Sequence, residues 1–532
     1  MLEGARKEFM LKNIQRAASR GFAGRLRAFG LAVGLIGLLL GVPASVANGA
    51  PPTADSPLLP LEKSSLVVKS PDGTLGVAQK NGKPVDGMKL SQHDKLILSP
   101  QIAITSDGAI HVAFTEQSEV SPYSLFVYYR QSTDGGKTWS ETKNLSEDMP
   151  GVPVGSCTLL VDRADRVYVI WRSGLTEGWP LTLGSSENLV YRVLDHGKWS
   201  KIFPVHPAGS AATQNDGSYF SFAAVDGAGK VQVVWNTCPD HFRPDDVMAK
   251  GYSIHLAGIG NGLVFQVALD GSAASTPRQI YMTKVSKDPN PGGMGEMSKS
   301  CDDLSALDGY FDAAGAAHFI AIVRGVRDPN EGSRIELFEG GKQTPAIKLP
   351  SPYMEVWNNP PRLLVDARGR RHIIALYNAG EHPAFRDYLS GSDDDPAVIL
   401  TAKGPRGTCM GFQACQGSGG RMAVVMQTTD AGLSDAGDSW ISLSAGDKWS
   451  QPVCVTNNAA RAGYAAKNIG ATGSVGNGEH FGPGAGAVAF DKDGHLLLVV
   501  CNVKTGSFAV SAGSVVYAGG STSSPMLFFY KF

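Results

Sequence analysis

The chain has little net charge. Of its 532 residues, 48 are Lys or Arg and 49 are Asp or Glu, which gives a formal net charge of −1 at pH 7. Nucleic-acid binding needs clustered cations that neutralise phosphates, so we expect no nucleic-acid partner. The balance still leaves room for a local basic pocket that holds an acidic ligand.

Cysteine is scarce, and its number is odd. Seven Cys residues cannot all pair within one chain, so at least one thiol stays unpaired. Their spacings form no convincing zinc site, and we expect no metal and no cofactor. Cys409 and Cys415 are close enough in sequence to allow a local pair, while most of the others are expected to be small buried hydrophobic residues.

Long apolar runs are few, and the run near the N-terminus is short for a membrane span. A basic leader between Arg6 and Arg27 precedes the apolar segment Phe29 to Val42, and Ser45-Val46-Ala47 then supplies small residues for cleavage. This layout predicts a signal peptide over 1–49 and export to the periplasm or the extracellular space. An uncleaved membrane anchor is the alternative. Residues 50–63 form a Pro-rich linker.

Glycine, by contrast, is abundant at 64 residues, and a repeated pattern contains much of it. An apolar strand, a turn with Asp and Gly, and a second apolar strand recur along the chain. Such runs predict β-hairpins, and strands that are apolar throughout are typical of sheets buried on both faces. The copies are Gln101 to Glu116, Thr158 to Arg172, Phe222 to Asn236, Gly309 to Arg324, Arg362 to Asn378, Gly486 to Asn502 and, more weakly, Met410 to Gln427.

Each copy leaves room for two more strands before the next one begins. Some of these strands are visible, and they are followed by a turn that ends in Trp139, Trp199 or Trp449. A repeated four-stranded unit of this kind is a propeller blade. We therefore predict an all-β fold over 64–532, a β-propeller of four-stranded antiparallel blades. Seven blades are favoured and six are the alternative, with a strand at Ser65 to Lys69 closing the ring beside Met526 to Phe532.

The segment from Ser132 to Trp139 reads Ser-Thr-Asp-Gly-Gly-Lys-Thr-Trp. It resembles the Asp-box, or BNR, repeat of the sialidase-like superfamily of propellers, and weaker copies follow at 195–200 and 445–450. In such a turn, Ser and Asp bond the backbone, Gly adopts positive φ and Trp packs onto the neighbouring blade. The resemblance implies a secreted, carbohydrate-active propeller whose box lies away from the active site.

Propeller topology places the starts of the first strands and the ends of the second strands on one face. We expect the functional site there, in a polar concave surface. The predicted catalytic residues are Glu116, Arg172, His241, Arg324, Tyr377, Glu381 and His382. The predicted substrate-binding residues are Trp171, Asn236, Arg243, Arg362, Asn378 and Asn502. Arg guanidinium groups suit carboxylates and aromatic faces suit sugar rings, so the expected partner of a monomeric protein is an acidic glycan.

Three functions stay open. The first is a sialidase-like glycoside hydrolase, whose family uses an Arg at the start of the first blade, where this chain has Leu98-Ser99-Pro100-Gln101-Ile102. The second is a polysaccharide lyase on a uronate-containing glycan. It would use Arg172 or Arg324 to neutralise the carboxylate and a His or Tyr as base. The third is a non-catalytic module that binds glycan or protein.

Four histidines follow the turns of the repeat, on the opposite face. We expect His111, His318, His372 and His495 to pack against these turns rather than to act as bases or metal ligands.

Overall fold

A computed structural model describes residues 61–69, 73, 75–77, 79–80, 83–84, 88–90, 97–117, 125–148, 152–174, 188–205, 221–237, 263–271, 276–282, 303–324, 333–340, 342–348, 360–377, 383–392, 395–402, 408–430, 433–445, 448–455, 480–482, 486–505, 508–511, 514–517 and 526–532. Within these ranges the helices are two 3-10 turns, at Leu61–Lys63 and Ser418–Gly420. No helix among them is long and apolar enough to span a membrane. The predicted signal peptide lies outside the described residues, as does almost all of the linker.

The remaining elements are strands. In chain order they are β1 (Val67–Lys69), β2 (Leu75–Val77), β3 (Gln79–Lys80), β4 (Lys83–Pro84), β5 (Met88–Lys89), β6 (Ile97–Ile104), β7 (Ile110–Gln117), β8 (Leu125–Ser132), β9 (Lys143–Asn144), β10 (Val152–Val161), β11 (Val167–Gly174), β12 (Asn188–Asp195), β13 (Lys198–Trp199), β14 (Phe203–Pro204), β15 (Ser221–Val225), β16 (Val231–Thr237), β17 (Leu263–Leu269), β18 (Arg278–Met282), β19 (Asp303–Phe311), β20 (Ala317–Arg324), β21 (Ser333–Glu339), β22 (Lys342–Lys348), β23 (Arg362–Val365), β24 (Arg371–Tyr377), β25 (Ala384–Leu389), β26 (Ala397–Thr401), β27 (Thr408–Gln416), β28 (Met422–Asp430), β29 (Leu433–Ala445), β30 (Lys448–Trp449), β31 (Val453–Cys454), β32 (His480–Gly482), β33 (Gly486–Phe490), β34 (Leu496–Thr505), β35 (Phe508–Ser511), β36 (Ser514–Tyr517) and β37 (Met526–Lys531).

Six blades are antiparallel sheets whose core strands follow one another in the chain. They are β6–β9, β10–β14, β15–β18, β19–β22, β23–β26 and β27–β31, called blades 1 to 6 here. A composite sheet, blade 7, joins β33, β34 and β37 to β5. The first strands of successive blades contact one another in a closed cycle that returns from β33 to β6. The predicted β-propeller is confirmed with six such blades, the count given as the alternative. The favoured count of seven stays a prediction, because it requires counting the composite sheet as a blade.

The ring closes with a different strand from the one expected. In the described part of blade 7, β5 pairs with β37, so Met88–Lys89 and not Ser65 to Lys69 provides the N-terminal strand. The predicted segment forms β1, which pairs with β2, and β2 runs parallel to β31 of blade 6. The prediction failed because short strands of similar composition lie in both places, and only pairing distinguishes them.

An acidic side chain organises the turn between the first and second strands of most blades. Asp162 Oδ1 accepts the backbone N–H groups of Ala164 and Arg166, both at 2.9 Å. Asp226, Asp312, Asp366 and Asp491 repeat this pair of bonds in their own blades. These carboxylates satisfy turn N–H groups that would otherwise need water. The repeated Asp seen in the sequence is therefore a structural residue.

The histidines lie beside these turns, as predicted. His318 bridges Asp312 and Glu339, with ring nitrogens 3.2 Å from each carboxylate. His372 Nδ1 lies 2.9 Å from Asp387 Oδ2, and His495 Nδ1 lies 3.0 Å from Asp491 Oδ2. His111 instead bonds the Tyr129 hydroxyl at 2.6 Å. Each histidine bonds residues of its own blade.

The turn from Ser132 to Trp139 makes all the contacts that its sequence predicts. Ser132 Oγ accepts the N–H of Gly136, and Asp134 Oδ1 accepts the N–H of Thr138, both at 2.8 Å. The hydrogen bonds from Thr138, together with that from Ser132, lower the pKa of Asp134 to about 2. Trp139 donates its indole N–H to the Gly136 carbonyl at 3.1 Å.

The tryptophan of this turn joins neighbouring blades. Trp139 of blade 1 packs edge-on against Phe529 of blade 7, with ring centroids 5.3 Å apart. Trp199 of blade 2 packs in the same way on Tyr129 of blade 1, at 4.8 Å. Trp449 of blade 6 donates its indole N–H to Asp387 of blade 5 at 2.9 Å. In all three cases the residue contacts the preceding blade.

The local cysteine pair does not form. Cys409 and Cys415 lie near opposite ends of strand β27. A strand rises about 3.3 Å per residue, which holds the two sulfurs much farther apart than a disulfide allows. Cys157 and Cys415 are buried, as expected of small hydrophobic residues.

Gly136→Ala tests the contact between blades 1 and 7. Gly136 has φ +91°, and a Cβ there would lie 2.2 Å from Phe529 Cε1. We expect a loss of about 2–4 kcal/mol in the free energy of unfolding, from overpacking and left-handed strain together. Gly135→Ala is the matched control, because its φ is +73° and a Cβ would meet nothing within 4 Å. It should lose about 1 kcal/mol. Equal losses in guanidinium unfolding would contradict the packing role.

His372 and His111 should give opposite pH dependences. Burial alone would lower the pKa of His372, but its bonds to Asp387 and Asp366 raise it above 6.5. Its stabilising effect is therefore complete below about pH 6.5 and is lost as pH rises through the higher, folded-state pKa. Burial lowers the pKa of His111 to about 4, against the smaller opposing effect of Asp107. The effect of His111 is complete above about pH 6.5 and is lost towards pH 4.

The measurement is urea unfolding of wild type, His372→Gln and His111→Gln at about pH 5 and about pH 8.5. The deficit of His372→Gln should shrink at high pH. The deficit of His111→Gln should shrink at pH 5, by about 2 kcal/mol. Parallel pH profiles for the two variants would show that neither histidine titrates as assigned.

Candidate functional site

The candidate site lies at the end of the blades opposite the Asp-containing turns. Trp171 and Arg172 lie in the second strand of blade 2, and Asn236 lies in that of blade 3. Arg172 follows its turn aspartate Asp162 by ten residues (172 − 162), and Asn236 follows Asp226 by ten (236 − 226). The two side chains therefore lie at the same level of adjacent blades. The sequence repeat had predicted this correspondence.

Glu116 of blade 1 and Tyr377 of blade 5 lie one position further along their strands. Glu116 follows the turn residue Thr105 by eleven residues (116 − 105), and Tyr377 follows the turn residue Asp366 by eleven (377 − 366). Glu116 is buried, and Tyr377 is half-buried at the end of β24. Arg324 ends β20 and Asn502 lies in β34, so the backbone of both reaches the same end. His241, Arg243, Asn378, Glu381 and His382 lie outside the described residues.

Several first strands are irregular at this end. The pairing of β6 with β7 shifts between Leu98 and Gln101, and that of β10 with β11 shifts between Val154 and Cys157. Blades 4 and 6 show the same shift, between Ser305 and Asp308 and between Cys409 and Gly411. Bulges of this kind redirect side chains and are frequent next to active sites. Four of the innermost strands thus depart from regular pairing on the predicted face.

One bulge carries a buried charge that the sequence prediction missed. Asp308 accepts the backbone N–H of Leu363 at 2.7 Å, and its Oδ1 lies 3.7 Å from Arg362 Nη1. Both side chains are buried, and Arg362 is only 2% exposed. Burial raises the pKa of Asp308 to about 6, although the Arg362 charge opposes the rise. Arg362, predicted to bind substrate, thus has an ionic partner within the protein, and the pair joins blades 4 and 5.

Asn236 is also held by a neighbouring blade. Its Nδ2 donates to the Leu304 carbonyl of blade 4 at 2.6 Å, and its side chain is fully buried. Trp235 stacks on Phe265, with centroids 5.9 Å apart, and Trp171 is buried to 2% exposure. These residues support the rim from within, whereas Arg172 retains 8% exposure.

Tyr377, Arg386 and Tyr388 form a second group of contacting side chains in blade 5. The Arg386 guanidinium lies 3.9 Å from the centre of the Tyr377 ring, a cation–π contact. Arg386 also bonds the Tyr388 hydroxyl, and burial raises the pKa of Tyr388. The sequence pattern did not indicate Arg386, because this residue lies in a third strand. The strand pairing places it beside the second strand, two rungs from Tyr377.

A cluster of possible metal ligands lies on the opposite face. Atoms of Asp491, Asp493 and His495 come within 4.8 Å of one another. Asp491 already accepts two turn N–H groups, and its Oδ2 lies 2.8 Å from Lys531 Nζ. The ammonium group occupies the position where a cation would bind, so we assign this cluster to the turn.

No protein-family model matches the chain, and no curated protein matches it. Among solved structures, a protein of unknown function from Dyadobacter fermentans is 13% identical, with a TM-score of 0.41, over 65% of this chain and 95% of that one. The phage phi92 endosialidase is 12% identical, with a TM-score of 0.39, over 86% and 70%. An ulvan lyase is 12% identical, with a TM-score of 0.37, over 79% and 96%. At these values the similarity concerns the fold and says nothing about activity.

The buried pair of Asp308 and Arg362 can be tested by stability. Asp308→Asn leaves the guanidinium buried without its countercharge, and we expect a loss of about 3 kcal/mol. The double variant Asp308→Leu with Arg362→Met removes both charges and should recover most of that loss. Guanidinium unfolding of Asp308→Leu, Arg362→Met and the double variant closes a double-mutant cycle, which gives the coupling between the two residues. Additive losses would show that the two charges do not interact.

Proposed function

We propose that the chain is an exported, carbohydrate-active β-propeller that acts on an acidic glycan, with residues 1–49 directing its export and residues 50–63 as a linker. The active site would lie on the face where first strands begin and second strands end. The observation that carries this placement is the set of bulges in four first strands at that end. The Asp-box resemblance of Ser132 to Trp139 supports the carbohydrate-active class.

Arg172 is the residue we assign to the glycan carboxylate. It lies at the end of β11 beside the bulge of β10, where Val154 is its partner across the strands. A guanidinium offers two parallel N–H donors, which suits a carboxylate better than a hydroxyl. Burial of most of the side chain strengthens the interaction, because the local dielectric is low.

A sialidase-like glycoside hydrolase is the first reaction proposed. Glu116 of blade 1 would be a catalytic residue beside Arg172 of blade 2. Asn236 of blade 3 would shape the rim on the other side of Arg172. The first strand of blade 1, β6, contains no arginine, and its Gln101 is only 2% exposed. The residues that bind the substrate carboxylate must therefore come from other blades, and Arg172 would be the main one.

A polysaccharide lyase is the second candidate, and a specific contact favours it. Lyase chemistry needs a cation near a uronate carboxylate and a group that accepts the adjacent proton. At the proposed face, the Arg386 guanidinium lies 3.9 Å from the centre of the Tyr377 ring, which brings a cation and a phenol together. In this reaction Arg386 would hold the uronate carboxylate and Tyr377 would accept the proton.

The reaction can be assigned with two readouts on the exported chain. Sialylated glycans and uronate polysaccharides serve as substrates. New reducing ends without ultraviolet absorbance indicate hydrolysis, and absorbance of an unsaturated sugar indicates elimination. Retention on a glycan column without either product indicates a binding module and would overturn the enzymatic proposal.

Arg172→Ala tests the assigned carboxylate contact. Loss of one charge-assisted bond should lower kcat/KM by about 10- to 100-fold, which corresponds to about 1.5–3 kcal/mol. Arg166→Ala is the matched control, since Arg166 lies at the other end of the same strand pair and bonds Asp162 at 2.8 Å. It should leave kcat/KM within about twofold of wild type. Equal effects of the two variants would overturn the placement of the site.

A further inference from the structure

A concave site lies at the outer edge of the ring, between blades 3 and 4. A groove of about 300 Å³ separates β18, the outermost strand of blade 3, from β20 and β21 of blade 4. It opens at the end of the blades where the Asp-containing turns lie, because Ala316 and Gly340 from that end line it. Its volume is at the lower limit of small-molecule pockets, about 300–1,000 Å³. A single sugar ring is a ligand of suitable size.

The groove exists because blade 4 has small residues at its turn. Ala316 follows the turn aspartate by four residues (316 − 312), where blades 2, 3 and 5 carry Arg166, Lys230 and Arg370. Gly340 lies in the turn between β21 and β22 with φ +55°, and a Cβ at this position would meet no atom within 4 Å. Ala316 and Gly340 therefore place no long side chain in the groove.

The floor of the groove is aromatic. Phe319 and Phe338 stack in parallel with centroids 4.7 Å apart, and Tyr281 packs edge-on against Phe338 at 4.7 Å. Phe338 is buried and Tyr281 is half-buried. Tyr281 also donates its hydroxyl to Gln343 Oε1 in β22, which fixes the ring. Apolar ring faces held rigidly are well suited to the C–H face of a pyranose.

The mouth of the groove carries one charged lining residue, Arg278, which is held by a chain of amides. Asp226 Oδ2 accepts from Gln232 Nε2 at 2.8 Å, and Gln232 Oε1 accepts from Gln266 Nε2 at 3.1 Å. Gln266 Oε1 then accepts from Arg278 Nη2 at 3.1 Å. Gln232 and Gln266 are buried to 8% and 5% exposure. The exposed guanidinium is thus oriented by a buried network that begins at a carboxylate.

We infer that this groove binds one acidic sugar residue of a glycan, separately from the proposed active site. The pyranose ring lies against Tyr281, the half-exposed ring of the floor, and its carboxylate accepts N–H groups of Arg278. Positive charge at the mouth, an apolar floor and the size of the space all favour this ligand over a neutral sugar or a peptide. The site is for binding alone and involves no covalent step.

The probe is methyl β-glucuronide, and methyl β-glucoside is its matched neutral partner. The two differ in the carboxylate alone. Saturation-transfer NMR on the wild-type chain should show glucuronide binding, with a dissociation constant at least about tenfold lower than that for the glucoside. Equal binding of the two sugars would overturn the role of Arg278, and binding of neither would overturn the site.

Three variants locate the binding. Arg278→Gln should weaken glucuronide binding about tenfold or more and leave glucoside binding unchanged. Tyr281→Ala should weaken both sugars, and Ala316→Trp should abolish both by filling the groove. Arg368→Gln, at an exposed arginine of the blade 5 turn, is the control and should change neither. Circular dichroism confirms that each variant is folded.

The groove proposal and the proposed enzymatic function can be tested separately. Arg172→Ala should leave glucuronide binding in the groove intact, and Arg278→Gln should leave turnover of a short substrate intact. If Arg172→Ala alone removes glucuronide binding, the sugar occupies the opposite face and the groove proposal is wrong. If binding persists but no glycan is turned over, the groove proposal stands and the enzymatic one falls.

Discussion

Each blade has two apolar faces, and both must be covered by other blades. Side chains from adjacent sheets form the cores, as where Phe222 and Phe319 of blades 3 and 4 share one cluster. A row of such sheets would leave an uncovered face at each end, so closure of the ring completes the burial. The pairing of β5 with β37 supplies this closure, and the contact of Trp139 with Phe529 lies at the same junction.

The two ends of the ring differ because of this arrangement. At one end, aspartate-bonded turns pack closely: the N–H and hydroxyl of Ser106 both donate to the Asp165 carboxylate of the next blade, and the distance from Ser106 N is 2.7 Å. Asp165 adopts φ 59°, where a glycine would be less strained. The bond to blade 1 accounts for an aspartate at that position. At the other end, bulges interrupt the first strands and bring Asp308 and Arg362 together.

Polar side chains of the propeller have two kinds of support. Asn236, Arg362 and His372 have partners within the protein, and their bonds join strands or blades. Arg278 is held by internal amides but directs its charge outward. This difference separates residues that stabilise the propeller from one placed to meet a ligand. It also explains why residue type alone, such as arginine on a rim, does not assign a role.

Much of the fold follows from local sequence, because the signals are local. Asp162 with its following turn, and Ser132 with Asp134 and Trp139, make their bonds within a few residues, so the hairpins and the repeat were predictable. The equivalent positions of Arg172 and Asn236 in adjacent blades also follow from the sequence repeat. Ring closure by Met88–Lys89, the ion pair of Asp308 with Arg362, and the groove beside Arg278 depend on strands far apart in the chain. Only tertiary structure decided these, because pairing partners and inter-blade distances are set by the packing of whole sheets.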